Sequence, residues 1–213
     1  MENKYQLIII CLGIILISLL VYPTSNKSVE DYSEENYLLL TLMKTDADVS
    51  KVYVDSQKAE SYYAEASFAY EDRDYNSVES NCRLARDYYS EGSQSYNRIK
   101  AELKATGIED KLVELYIEEL ELSSEISLNM FEVCEHFESA SRYYYKYYNT
   151  DISSDDPSYD MGNGEINMMN EKIMEHDKNI RDYNDKIEEY RIELKLRINT
   201  YSEDLEWVKN NYT

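Results

Sequence analysis

Apolar and small residues recur along most of this chain at alternating spacings of three and four. The first seam runs Leu42, Thr45, Val49, Val52, Ser56, Ala59, Tyr63, Ala66, Tyr70, the pattern of a helix presenting one packed face. Asp72-Arg73-Asp74 interrupts it. The second seam runs Val78, Cys82, Ala85, Tyr89, Gly92, Tyr96, Ile99, Leu103, and Gly107 after Thr106 is a helix stop. A third helix turns Leu112, Leu115, Leu122, Ile126, Val133, Phe137, Ala140, Tyr144 and Tyr147 inward. The fourth reads Ile166, Met169, Ile173, His176, Ile180, Tyr183, Ile187, Tyr190, Leu194. One extra step of four then leads to Ile198, Tyr201, Leu205, Val208 and Tyr212, a local stutter in the repeat. The spacing therefore predicts helices over 29–71, 75–106, 108–149 and 165–212. Residues 150–164, with Pro157, Gly162 and Gly164, read as one extended loop.

Four seams joined by short turns predict an all-α fold, an elongated antiparallel up-down-up-down four-helix bundle. Side-chain sizes give its first pairing. If the chain reverses at Arg73, Tyr63 falls level with Ala85, Ala59 with Tyr89 and Ser56 with Gly92, so large faces small. The second helix is the shortest, at roughly 47 Å. The hairpin of the third and fourth helices is accordingly expected to project past the tip of the first, and the first and last helices to continue together at the other end. Ala66, Tyr75, Val78, Cys82 and Ala85 fall where the tetratricopeptide motif places its small and aromatic packing residues, so this hairpin resembles one such repeat. The match covers about 30 residues once. It implies shared hairpin geometry, since a peptide-binding superhelix needs several copies.

Ahead of the seams lies a different pattern. Leu7 to Tyr22 is almost continuously apolar, and the 18 positions from Tyr5 to Tyr22 span about 27 Å as a helix. Lys4 precedes the run and no Lys or Arg cluster follows it, which places the amino terminus in the cytoplasm and the bulk of the chain outside. A cleaved signal peptide shares this start, but Val21-Tyr22-Pro23-Thr24-Ser25 offers a poor cleavage site. The reading is a membrane anchor over 1–22, a linker over 23–28 and an extracytoplasmic helical domain over 29–213. No second apolar run follows, so the chain reads as a tethered ectodomain.

Composition narrows the partners. Net charge is −21, with 43 acidic against 22 basic residues, which repels phosphate backbones and makes nucleic-acid binding improbable. Only 5 Gly and 2 Pro occur in 213 residues, which favours long helices. The 23 Tyr against 3 Phe and 1 Trp predict a core with hydroxyls that need partners.

Several residue groups invite a chemical reading. Cys82 lies 25 residues before Gly107 and Cys134 lies 27 after it, so the two sit near one level of a hairpin. In an oxidising compartment that predicts a disulfide. His136 and His176, the 2 histidines of the chain, are placed about equally far from the last loop, with Glu132 and Glu175 near, a weak metal reading. The Glu-x-x-His pairs of di-iron bundles are absent. Asp151, Asp155, Asp156, Asp160 and Glu165 gather around the last loop as calcium ligands would, without the spacing of a calcium-binding loop. Tyr143, Tyr144, Tyr145, Tyr147 and Tyr148 cannot all face inward on one helix, so some form an exposed aromatic tip suited to an interface. Asn26 and Asn211 head glycosylation triplets.

No nucleophile–base pair, phosphate loop or strong metal signature appears. The chain reads as a non-catalytic surface protein without a cofactor, whose bundle binds a protein partner or self-associates. The alternative is a solute- or metal-binding sensor-like domain with a polar cleft between helices.

Overall fold

A computed structural model describes the chain over residues 29–149 and 156–212, with side chains described from Tyr37 to Asn149 and from Asp156 to Arg197. The apolar run 7–22, Asn26, Asp151 and Asp155 lie outside these residues. Among the described residues no helix is long and apolar enough to cross a membrane.

The fold is all-α, with four helices packed in a bundle: α1 (Val29–Glu71), α2 (Tyr75–Ala105), α3 (Lys111–Asn149) and α4 (Ser158–Tyr212). Local chemistry sets each boundary. At the end of α1, Arg73 takes a left-handed φ of 60°. The Asp74 N–H reaches back to the Ala69 carbonyl (2.9 Å) and the Arg73 N–H to that of Tyr70 (3.1 Å), closing the helix end. Asp74 then caps α2, accepting from the Ser77 N–H at 3.2 Å and the Ser77 hydroxyl at 2.6 Å. Gly107, with φ 69°, ends α2, and Asp110 caps α3 through the Leu112 N–H at 2.8 Å.

The last boundary departs from the sequence reading. Helix α4 begins at Ser158, so Gly162 and Gly164 lie within it. Pro157 supplies the first carbonyl, accepting from the Met161 N–H at 2.9 Å, and the Asp156 carboxylate accepts from the Ser158 N–H at 2.8 Å. Proline in a first helical turn loses no hydrogen bond. Gly162 is there because α3 and α4 meet closely. A Cβ at that position would stand 2.8 Å from Cε1 of Tyr144.

Helix α1 packs on α2, α2 on α3, and α3 on α4. Helix α1 meets α3 only lightly, and among the described residues α1 and α4 make no close backbone approach. The bundle is therefore open between its first and last helices, and long side chains bridge the space. The Tyr116 hydroxyl donates to the Asp46 carboxylate of α1, and Tyr190 of α4 stacks on Tyr116 with ring centres 5.4 Å apart.

Nor, among the described residues, does the hairpin of α3 and α4 project past the first. Tyr148 stacks on Tyr75 at 5.9 Å, and the Arg73 guanidinium lies over the Tyr148 ring. The end of α3 is thus level with the first turn.

Among the described residues the core has three apolar parts: the smallest, Tyr75, Ala140 and Tyr144 at the end carrying the Arg73 turn, and two larger ones. One gathers Leu38, Leu42, Val52, Ile99, Leu103, Leu112 and Leu120 near the Gly107 turn, and the other Ala59, Ala66, Val78, Cys82, Ala85, Val133 and Phe137 toward the opposite end. Between them lies a waist of small polar residues. The Ser93 and Ser124 hydroxyls are 2.9 Å apart, Asn97 donates to Ser124 at 2.6 Å, and Gly92 faces Ser56 and Ser127. The Ser56–Gly92 contact is one of the three that side-chain size predicted.

Candidate functional site

The end of the bundle carrying the Arg73 turn and the last loop is built from tyrosine. Tyr144 is buried at its centre, within about 6 Å of the rings of Tyr70, Tyr75 and Tyr159. Its hydroxyl donates to Asn163 Oδ1 at 2.7 Å, which ties α3 to α4. Around this hub, Tyr147 contacts both Tyr148 and Tyr159 with ring centres 5.1 Å apart. Phe137 continues the stack inward through Tyr70 at 5.3 Å. Burial raises the Tyr144 and Tyr75 hydroxyls above the ordinary phenol range.

Of the five tyrosines read as a tip, Tyr144 is core, Tyr143 is half-buried, and Tyr145, Tyr147 and Tyr148 are exposed. Tyr159 and Met161 add exposed surface beside them. The rings are held by one another, so they present area with little ordering left to lose on binding.

The other candidate groups do not converge. Cys82 and Cys134 are fully buried free thiols with no covalent bond between them, so the expected disulfide is not formed in the structure. Their level was read correctly. They share one apolar cluster, and a hydrogen bond between them, together with burial, raises the Cys82 thiol far above its usual range.

The two histidines are apart. His136 Nδ1 lies 2.7 Å from Glu165 Oε2, while His176 faces its neighbour Asp177 at 3.5 Å. Glu132 and Glu175 are bridged by Lys172, each at 2.9 Å, so a cation already occupies the space between those carboxylates. Among the described residues no group of His, Cys, Asp and Glu is placed to hold a metal. The earlier start of α4 moves its residues along α3, which puts Glu165, instead of His176, opposite His136.

The acidic loop is likewise dispersed over its described part. Asp156 caps α4 and pairs with Lys146 at 3.4 Å, Asp160 is exposed in the first turn, and Glu165 belongs to His136. Asn211 lies in the last turn of α4.

Two acidic sites, one buried and one half-buried, escaped the sequence reading. Glu138 is only 2% exposed and lies between α2 and α3. Arg86 reaches it at 2.9 Å and Arg83 at 3.5 Å, and Arg142 pairs with it directly. Arg83 and Arg142 also share Glu79, at 2.8 and 3.1 Å. Asp46, bonded to Tyr116, is the second, and burial raises its carboxyl above the ordinary range despite that bond. The one signal for Glu138 was its place in an unusually wide inner face, Cys134, Phe137, Glu138 and Ser141.

An open groove of about 350 Å³ between α1 and α2 is lined by Asp48, Lys51, Asp55, Glu91, Gly92 and Arg98 among others. Its charges are mixed and open to solvent, so it offers no single ligand chemistry. Comparison of the chain with protein-family models, with curated proteins and with solved structures finds no match.

Proposed function

We propose that this chain is a single-pass membrane protein, anchored through residues 7–22, whose extracytoplasmic helical bundle acts as a non-catalytic interaction or scaffold module. The observation that carries this reading is the tyrosine cap. It presents exposed Tyr145, Tyr147, Tyr148 and Tyr159 beside packed rings at one end of the bundle. Rigid, amphipathic rings of this kind give contact area at low entropic cost. The apolar run supplies the tether, and its flanking charges supply the orientation.

The sensor-like alternative draws little support. Tyr116 of α3, bonded to Asp46 of α1, and Tyr190 of α4 stack across the space between α1 and α4, and the metal-ligand candidates are paired with lysine or dispersed.

Two measurements test the proposal. Single cysteines at exposed positions of the full chain in intact cells should label with an impermeant maleimide, and labelling only after lysis would refute the topology. A photo-crosslinking residue at Tyr148 should capture one discrete partner, with the yield falling when Tyr147 and Tyr159 are changed to alanine. Capture that is insensitive to those changes would refute the cap as the contact.

A further inference from the structure

The rings of the tyrosine cap differ chemically in their access to solvent. Tyr75 and Tyr144 are buried, whereas Tyr147, in the last turn of α3, is 39% exposed and Tyr159, in the first turn of α4, is 42% exposed. The ring centres of Tyr147 and Tyr159 stand 5.1 Å apart, with their planes at 48°. Rings tilted at that separation touch at their edges. Tyr148 is equally close to Tyr147, but it is the next residue of the same helix. Tyr147 and Tyr159 are therefore the touching pair of the cap in which both phenols are open to solvent and each belongs to a different helix.

We propose that Tyr147 and Tyr159 form a site of oxidative modification, coupling to one another as a dityrosine that joins α3 to α4 covalently. The inference does not rest on the cap having a partner. The reagent is a one-electron oxidant of the haem-peroxidase class, driven by hydrogen peroxide. Each phenol gives one electron to the oxidant and its hydroxyl proton to water, and becomes a phenoxyl radical. The two radicals combine through a new bond between ring carbons adjacent to the oxygens. The hydrogen on each of those carbons then moves to its own ring's oxygen as a proton, which restores both phenols. Two hydrogen atoms leave the protein in all, and the peroxide is reduced to two waters.

The fold favours this pair over the other tyrosines. The bond from the Tyr144 hydroxyl to Asn163 (2.7 Å) and the Lys146–Asp156 ion pair (3.4 Å) hold the two turns together. The coupling step is thereby unimolecular and already in contact geometry. Coupling between copies is opposed, because a net charge of −21 makes their approach repulsive. A radical formed first on Tyr148 is not lost to the pair. Its ring touches Tyr147, and like side chains in contact exchange an electron without a large difference in energy, so the radical reaches the position where coupling removes it.

The test treats the full-length chain, dilute, with a haem peroxidase and hydrogen peroxide. The expected product is a monomer with dityrosine fluorescence, in which peptide mapping joins Tyr147 to Tyr159 with the loss of two hydrogen atoms. Tyr159→Phe keeps the ring and removes the reacting hydroxyl, and should lower the dityrosine yield at least about fivefold. Tyr145→Phe, at another exposed ring of α3, should leave the yield unchanged. Equal yields from the native chain and Tyr159→Phe would overturn the proposal. So would mapping of the native product that places the link mainly between other tyrosines, or mainly between copies, and that result is independent of any variant.

Discussion

Replacing Glu138 by Gln keeps the volume and removes one charge from the α2–α3 interface. In the native chain the buried carboxylate faces Arg86 at 2.9 Å and Arg142, with Arg83 at 3.5 Å. Breaking a fully buried ion pair costs about 3–5 kcal/mol, because the surviving charge stays uncompensated. Here the survivors are less buried. The Arg83 and Arg142 side chains are more than half exposed and can turn to water, so most of their share is screened. Arg86 is held more tightly, with its guanidinium over the Phe131 ring. The amide nitrogen of Gln would also have to face a guanidinium donor. Discounting the two exposed arginines leaves a loss of about 2–3 kcal/mol. For a domain of this size that lowers Tm by roughly 5–10 °C. Thermal and urea unfolding of Glu138→Gln, Arg86→Met and the double variant would measure it as a cycle. Arg86→Met alone should cost about 1 kcal/mol, since Arg142 remains on the carboxylate, and coupling between the two sites should exceed about 1 kcal/mol. A loss below about 0.5 kcal/mol for Glu138→Gln, or strict additivity, would refute the claim that the arginines act on Glu138.

Asp46→Asn tests the half-buried acid. Burial raises the Asp46 carboxyl in the folded chain, so its stabilising contribution is complete below the ordinary carboxylate pKa and is lost as pH rises through the raised folded value. The variant, which can still accept from Tyr116, should therefore gain stability relative to the native chain as pH rises above the ordinary carboxylate range. A difference that does not change with pH in urea unfolding would contradict this. Two glycine-to-alanine changes should have opposite signs. Gly92→Ala meets only ordinary contacts, at 3.5 Å, and should gain up to about 1 kcal/mol of helix propensity. Gly162→Ala would push on the buried Tyr144 ring from 2.8 Å and should lose about 1–3 kcal/mol, with a change in tyrosine near-UV dichroism. Cys82 and Cys134 should resist a thiol reagent in the native chain and react together on unfolding, because both are fully buried; rapid native labelling would count against that packing.

The alternating spacing of apolar residues was enough to place α1 and α2, because each is a long uninterrupted helix whose inner seam is also its packed face. Size matching foretold Ser56 against Gly92 for the same reason. Pro157, Gly162 and Gly164 misled, since residues that usually break helices here start one and permit a close crossing. That error at the boundary carried into the histidine pairing, because levels in a hairpin are counted from its turn. The open side between α1 and α4 could not be read from either seam, since both helices offer apolar residues whether or not they touch. Glu138 stayed hidden because its partners Arg83 and Arg86 come from another helix. A carboxylate beside Phe137 looks like a solvated one until the arginines are in place.

The polar waist at Ser93, Asn97 and Ser124 has a consequence for cooperativity. Apolar packing on either side of this waist, joined across it by hydroxyl contacts, divides the bundle into two halves that can open separately. Amide exchange should then sort into two protected sets, one around Leu112 and Leu120 and one around Val78 and Val133, each with its own opening free energy. A bundle divided in this way can loosen at the tyrosine-capped end while the Gly107 end stays folded.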